Sequence, residues 1–288
     1  MKKTRKIYRK NTPFGEFWHR LKKSKTAMFG LILFCLILLC TILAPVITPY
    51  DYAAQNYDSV LISGSAEHWL GTDNFGRDVL SRILYGGRIS LSIGVVSVTI
   101  SAVFGMIIGL VAAYYKKLDN PIMRIMDVFM GVPPILMCIG VAAALGTGMR
   151  NTMIALGIAF VPSFSRVARS AALSIRDREF IEAAKSIGCS DLRIIIKHIL
   201  PNTMAPMIVE ITLGAVRAIT WASSLSFLGL GMSPPSPEWG ALIADGRTYF
   251  MEYGYLVIYP GLAIMATTYA LNMFGDGLRD ALDPRLRG

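Results

Sequence analysis

The chain has 288 residues, 53% of them apolar and only 17% charged, with a mean hydropathy of +0.50, where soluble domains carry about 25% charged residues. That composition excludes an ordinary soluble domain, and it excludes a disordered chain, which needs low hydrophobicity and high charge. The net charge is +10; no nucleic-acid-reading motif accompanies it, so it is read as a topology signal and no nucleic-acid partner is expected. Cys35, Cys40, Cys138 and Cys189 lack the paired spacing of a zinc site or disulfide framework and read as small apolar residues.

A spanning helix needs about 20 apolar residues, so charge-free runs locate the spans. Such runs lie at 27–49, 89–115, 128–149 and 253–275. The stretch 203–232 is interrupted only by Glu210 and Arg217, and the shorter run 151–165 spans if Arg166 and Arg169 snorkel to its polar end. Most Lys and Arg residues then fall on one side of the membrane, while Arg77, Arg82, Arg88, Arg150 and Arg247 fall on the other. The expectation is an all-α membrane protein with six transmembrane helices and both termini cytoplasmic. Its divisions are a basic arm (1–27), a first, uncleaved helix (28–48), an external loop with a surface helix (49–88), a five-helix core (89–276) and a cytoplasmic tail (277–288).

In the second span Ser97, Ser101, Gly105, Gly109 and Ala113 recur every four residues, a face along which another backbone can approach closely; Gly214, Ala218, Ala222 and Ser226 repeat the device in the fifth. Pro133, Pro134, Pro162 and Pro260 favour kinks. Glu210 and Arg217 share one helical face about 10 Å apart and are candidate pathway or structural charges. In the external loop, Gly71 to Gly76 carries turn chemistry, and Val79, Leu80, Ile83 and Leu84 then share a face, which predicts a short amphipathic helix at the surface. His68, Asp73 and Asp78 show no ligand spacing, and no metal site is assigned.

The segment 174–202 separates the fourth and fifth spans. Asp177 to Gly188 places acids early and Lys185 late, as a helix dipole favours, and Gly188 can end that helix in a left-handed turn. Phe180, Ala184 and Ile187 make its predicted apolar face. A second helix starts at Ser190 or Asp191 with Leu192, Ile195, Ile196 and Ile199 as its face, and Pro201 marks the next span.

Glu182-Ala183-Ala184, Gly188 and Leu200-Pro201 resemble the EAA loop of permease subunits of binding-protein-dependent ABC importers; His198 stands where that pattern has an aliphatic residue. Leu70 to Asp73 with Gly76 to Arg82, Pro237-Glu238-Trp239-Gly240, and Asn272 to Pro284 narrow the resemblance to the C-type permeases of the dipeptide, oligopeptide and nickel family. The resemblance implies a type I ABC importer permease fold in a bacterial or archaeal inner membrane. Glu182, Ala183, Ala184, Gly188, Leu200 and Pro201 would then couple to the ATPases. The implied partners are a second homologous permease, two cytoplasmic ATPases or ATPase domains, an extracytoplasmic binding protein and membrane lipid. No phosphate-binding loop of the Gly-x-x-x-x-Gly-Lys-Ser/Thr type occurs here, so ATP and magnesium are expected on the ATPases, with no cofactor in this chain.

The implied cargo is a di- or oligopeptide, with nickel or a metal chelate as the alternative. An enzyme of the membrane would need an intramembrane histidine, a nucleophile with its base, or a metal cluster. His19, His68 and His198 all fall outside the spans, so no catalytic residue is assigned. A lone secondary carrier would be expected to show internal repeats, and none is evident.

Overall fold

A computed structural model describes residues 13–282. Residues 1–12 and 283–288, which include much of the basic arm and the Asp283-Pro284 end of the last motif, lie outside the described residues. Helices let a chain cross lipid with every backbone N–H and C=O paired. Among the described residues no strand forms, and a single bridge joins Thr72 to Asp78.

Helix α1 (Pro13–Lys23) meets α2 (Lys25–Ile42) at Ser24, whose side chain accepts from the Ala27 N–H, and the one-turn α3 (Ala44–Ile47) follows. After a largely irregular stretch come α4 (Val79–Tyr114), α5 (Lys116–Gly131), α6 (Pro134–Leu145) and α7 (Met149–Arg176). The short α8 (Glu179–Ser186) and α9 (Asp191–Ile194) lead through a π-helical stretch, Ile195–Ile199, into α10 (Leu200–Phe227). The last two helices are α11 (Trp239–Gly246) and α12 (Tyr255–Leu282). Five stretches among the described residues are long and apolar enough to cross a membrane: α2, α4, α7, the rod from Asp191 to Phe227, and α12. The pair α5 and α6, bent by 88°, makes a sixth if counted as one span.

Several expected boundaries are corrected. The separate surface helix does not exist: α4 runs unbroken through Gly86, Gly87 and Arg88. Its first turns bury Val79, Ser81 and Arg82, so they pack on protein. The 128–149 run is broken, because Val132, as a residue before proline, takes an extended backbone (φ −91°, ψ 128°) and stops α5. The fourth span is longer than its charge-free run, and Arg166 and Arg169 fall in its second half. They sit within α7 and pair with Asp127 at 2.6 Å and, through two bonds, with Asp119 at 2.5 and 2.6 Å. The fifth span ends at Phe227 instead of residue 232, where Gly229 turns the chain at φ +79°. The sixth continues to Leu282, so the first part of the 277–288 tail is helix: Leu278 and Ala281 bury against Leu21 and Ala27.

The interior forms where α4 and α7 lie together. An added Cβ at Gly105 would stand 2.5 Å from the Phe164 Cβ, and one at Gly109 would stand 2.4 Å from the Ser165 carbonyl oxygen. That seam carries a core of Val98, Ala102, Leu156, Phe160 and Phe164, to which α10 adds Met207, Ala218 and Leu225. The small stripe of α10 receives the ring of Phe164 at Gly214. Helix α2 is held at the periphery by α12, with Gly30 against the Ala270 carbonyl and Met273.

Gly109→Val is expected to cost about 1–3 kcal/mol by overpacking, read as lower membrane abundance and a lower melting temperature of the solubilised protein. Gly140→Val, where an added Cβ meets nothing within 4 Å, is expected to leave both unchanged.

Candidate functional site

The segment after α7 folds back onto the Tyr114 end of α4. Ile181, Ala184, Ile194 and Ile199 bury against Leu110, Ala113, Ala172 and Ile175. This corrects the expected faces: Phe180, Ile187, Leu192 and Ile196 are exposed, while Ile181 and Ile194 take the inward positions. Ala184, Ile195 and Ile199 of the expected faces do pack inward, but both sides of the segment carry apolar residues, so periodicity alone placed the rest wrongly. Arg176 donates to the Ala113 carbonyl at 2.8 Å and to Asp177, whose carboxyl it holds below the usual carboxylate range. Tyr114 donates to Asp191 at 2.6 Å, and the Lys185 ammonium stands 5.5 Å from the Tyr114 ring centre.

Glu182, Ala183 and Gly188 are exposed together on the far side of α8, whereas Ala184 is on its buried side. Gly188 has φ +76° and nothing within 4 Å of an added Cβ, so the residue serves the left-handed turn rather than a close contact. Leu200 and Pro201 do not begin a separate helix. The Leu200 N–H bonds the Ile195 carbonyl five residues back, Pro201 enters with no N–H to give, and Asn202 caps the His198 carbonyl at 2.7 Å.

Glu210 and Arg217 pair directly, despite their spacing along α10, because both side chains reach along the helix; Ser163 of α7 donates to the same Glu210 oxygen at 3.1 Å. Phe160 and Trp221 meet edge to face beside them, with ring centres 5.6 Å apart.

At the other end of α4, Asp73 gathers the Arg77 Nε at 2.6 Å, the Arg82 Nη1 at 2.9 Å and two backbone N–H groups. Asp78 caps α4 through Ser81 and pairs with His68 at 2.9 Å. Arg82 also faces Asp245 at 3.7 Å, a carboxyl whose pKa is pushed up by burial. Glu238, fully buried, caps α11 and accepts from Ser90, while the Trp239 indole donates to the Ile83 carbonyl at 2.8 Å. Two motifs far apart in sequence thus close into one polar cluster. Asp73 and Asp78 spend both carboxylate oxygens on these contacts, and His68 its Nδ1.

The sequence profile of the binding-protein-dependent transport system inner membrane component family matches residues 103–288. The chain belongs to that family. The profile of the N-terminal TM domain of oligopeptide transport permease C matches residues 12–62. A dipeptide transport system permease protein of Alkalihalophilus pseudofirmus is 46% identical over 277 residues, covering 96% of this chain and 91% of that one. A glutathione transport system permease protein of Escherichia coli is 44% identical over 281 residues, with 96% and 92% covered. A di/tripeptide transport system permease protein of Pseudomonas aeruginosa is 41% identical over 283 residues, with 96% and 93% covered. Among solved structures, an inward-facing MetNI methionine ABC transporter chain aligns with a TM-score of 0.57 at 19% identity, covering 70% of this chain and 96% of that one. That likeness gives the fold, the permease fold of an ABC importer. The permease is therefore a transport subunit rather than an enzyme, and a multi-pass component of the inner membrane.

Sequence reasoning did not reach Ser163 as the third member of the Glu210 and Arg217 group, nor the Asp119–Arg169 and Asp127–Arg166 pairs. These partners come from different helices, and no spacing within one segment signals them. In the permease, Asp73→Ala leaves the buried Arg77 and Arg82 without their shared carboxylate. A loss of about 3–5 kcal/mol is expected, seen as a lower melting temperature and reduced membrane abundance.

Proposed function

We propose that the permease forms one half of the membrane pathway of an ATP-driven importer of di- or oligopeptides. The observation that carries this reading is the set of relatives above 40% identity across nearly the whole of both chains, named for dipeptide, di/tripeptide and glutathione transport. In this reading α5 and α6 together make one of six spans, both termini are cytoplasmic, and a second homologous permease completes the pathway. An extracytoplasmic binding protein delivers the peptide, and two cytoplasmic ATPases bind ATP and magnesium. The distribution of Lys and Arg supports that orientation.

Helix α8 is the proposed coupling element. Glu182 and Ala183 offer an exposed charge beside a small side chain, so a groove on an ATPase can close over them. Gly188 sets the turn that aims the surface, and Ala184, with Ile181, fastens its underside to α4 and α7. Leu200 and Pro201 root the following rod. When the ATPases close on ATP, a pull on α8 passes into α7 at Asp177 and into α10 through the π-helical stretch. The helices then rock between states open to one side and to the other.

Deleting the permease is expected to abolish uptake of labelled dialanine and leave nickel uptake unchanged; loss of nickel uptake alone would overturn the peptide reading. Glu182→Arg and Gly188→Leu are expected to lower uptake about tenfold or more with normal membrane abundance. The left-handed backbone costs a residue with a Cβ about 1–2 kcal/mol. Asn tolerates that conformation better, so Gly188→Asn is expected to retain more uptake than Gly188→Leu. Wild-type uptake in both Glu182→Arg and Gly188→Leu would remove α8 from the coupling.

A further inference from the structure

A cleft of about 200 Å³ opens where the break between α5 and α6 faces α7 and α10. Phe129, Met130 and Pro134 form one wall, and Phe160, Arg217 and Trp221 face them. The cleft is deep along the rod: Glu210 lies about 15 Å from the Leu200 end of α10, and Arg217 about 15 Å from its Phe227 end. A charge at such depth is expected to face a protein interior or a watery cavity.

The two partners are not equally free. Glu210 is only 13% exposed at its side chain, and one of its oxygens receives both Arg217 and Ser163. Arg217 is 38% exposed, lines the cleft and spends one guanidinium nitrogen on Glu210, with no other hydrogen bond among the described residues. Its guanidinium centre lies 5.8 Å from the Phe160 ring centre, a contact that steadies the planar group without using its donors. What remains is a set of N–H donors, bonded to nothing else among the described residues, on a side chain that lines a largely apolar cleft, a group that suits a planar carboxylate.

We propose that this cleft is a subsite for the free carboxylate of the passing peptide, gripped by Arg217, with Glu210 and Ser163 holding Arg217 between passages. The inference rests on the peptide reading above. Every linear peptide with an unmodified end carries that carboxylate, whatever its side chains, so one arginine can serve cargo of varied sequence. The volume is below the roughly 300–1,000 Å³ of pockets that enclose a whole small ligand, so the cleft takes one chain end and leaves the rest in the pathway. Release is built in: the substrate carboxylate and Glu210 compete for the same guanidinium, so the grip on cargo is weakened by the group that takes its place. A pathway needs binding firm enough to enter and weak enough to leave.

The test uses the complete transporter, both permeases with their ATPases, in nanodiscs without the binding protein, and measures equilibrium binding of radiolabelled dialanine. N-acetyl-dialanine, which keeps the carboxylate, is expected to compete, whereas dialanine amide is not. Arg217→Gln is expected to weaken binding about tenfold or more, the scale of a lost charge-assisted pair, and Arg217→Lys is expected to recover part of it. ATP hydrolysis by the variants reports that the complex is assembled. Equal competition by the amide, binding within twofold of wild type in Arg217→Gln, or no measurable binding to the wild-type complex would each overturn the subsite. ATP-driven uptake of dialanine by the same wild-type complex, reconstituted in liposomes with its binding protein, separates the two ideas. Without that uptake the peptide reading itself falls; with it, a carboxylate-blind result removes the subsite alone.

Discussion

The close approach of α4 and α7 is the constraint on which the rest of the permease depends. Lipid supplies no hydrophobic force between helices, so association rests on packing and on contacts that small residues permit. Gly105 and Gly109 let the backbone of α7 come to where side chains would otherwise stand. Once that seam forms, α7 presents Phe160 and Ser163 to α10 at mid-depth and delivers Asp177 and α8 to the Tyr114 end of α4. Helix α8 and the α7 side of the cleft therefore inherit their positions from one pair of helices.

Charge pairing then sets the neighbours. Asp119 and Asp127 of α5 meet Arg169 and Arg166 of α7, and this ties the first arm of the bent pair to the central seam. The second arm, α6, starts from Pro134 and leaves in a new direction. A straight helix there would have filled the space beside Phe160 with its own side chains. The break instead leaves the cleft, with Pro134 at its rim. The structure thus combines one attachment, made by the two ion pairs, with one opening, made by the proline pair.

The stripes every four residues on α4 and α10, the left-handed turn at Gly188 and the existence of long apolar helices were legible in the sequence, because each is a local property of one segment. The inward faces of α8 and α9 were not. Phe180 and Ile187 satisfy the helical period as well as Ile181 does, and only the presence of Leu110 and Ile175 decides which side turns inward. The start of α4 was misread for a related reason. Val79, Leu80, Ile83 and Leu84 form an amphipathic face whether the apolar partner is lipid or protein; here Val79 lies beside Leu242 of α11 and Leu256 of α12, and Leu80 beside Ile47 and Trp69. Pairs such as Glu238 with Ser90 join residues far apart in sequence, beyond what a single sequence can indicate without the fold.

Apolar residues are exposed beside α8 as well as buried beneath it. Phe180, Ile187 and Leu192 flank the exposed Glu182 and Ala183, while the opposite side of the segment is already satisfied by α4 and α7. A segment with two apolar sides has one for its own fold and one left over. In the proposed coupling, burial of Ile181 and Ala184 against α4 and α7 would keep α8 from peeling away when force is applied to its outer side. The π-helical stretch before Pro201 interrupts the regular bonding between α9 and the part of the rod that carries Glu210 and Arg217. The proposed coupling surface on α8 and the proposed cargo contact at Arg217 are thus separated, with the π-helical stretch between them along the chain.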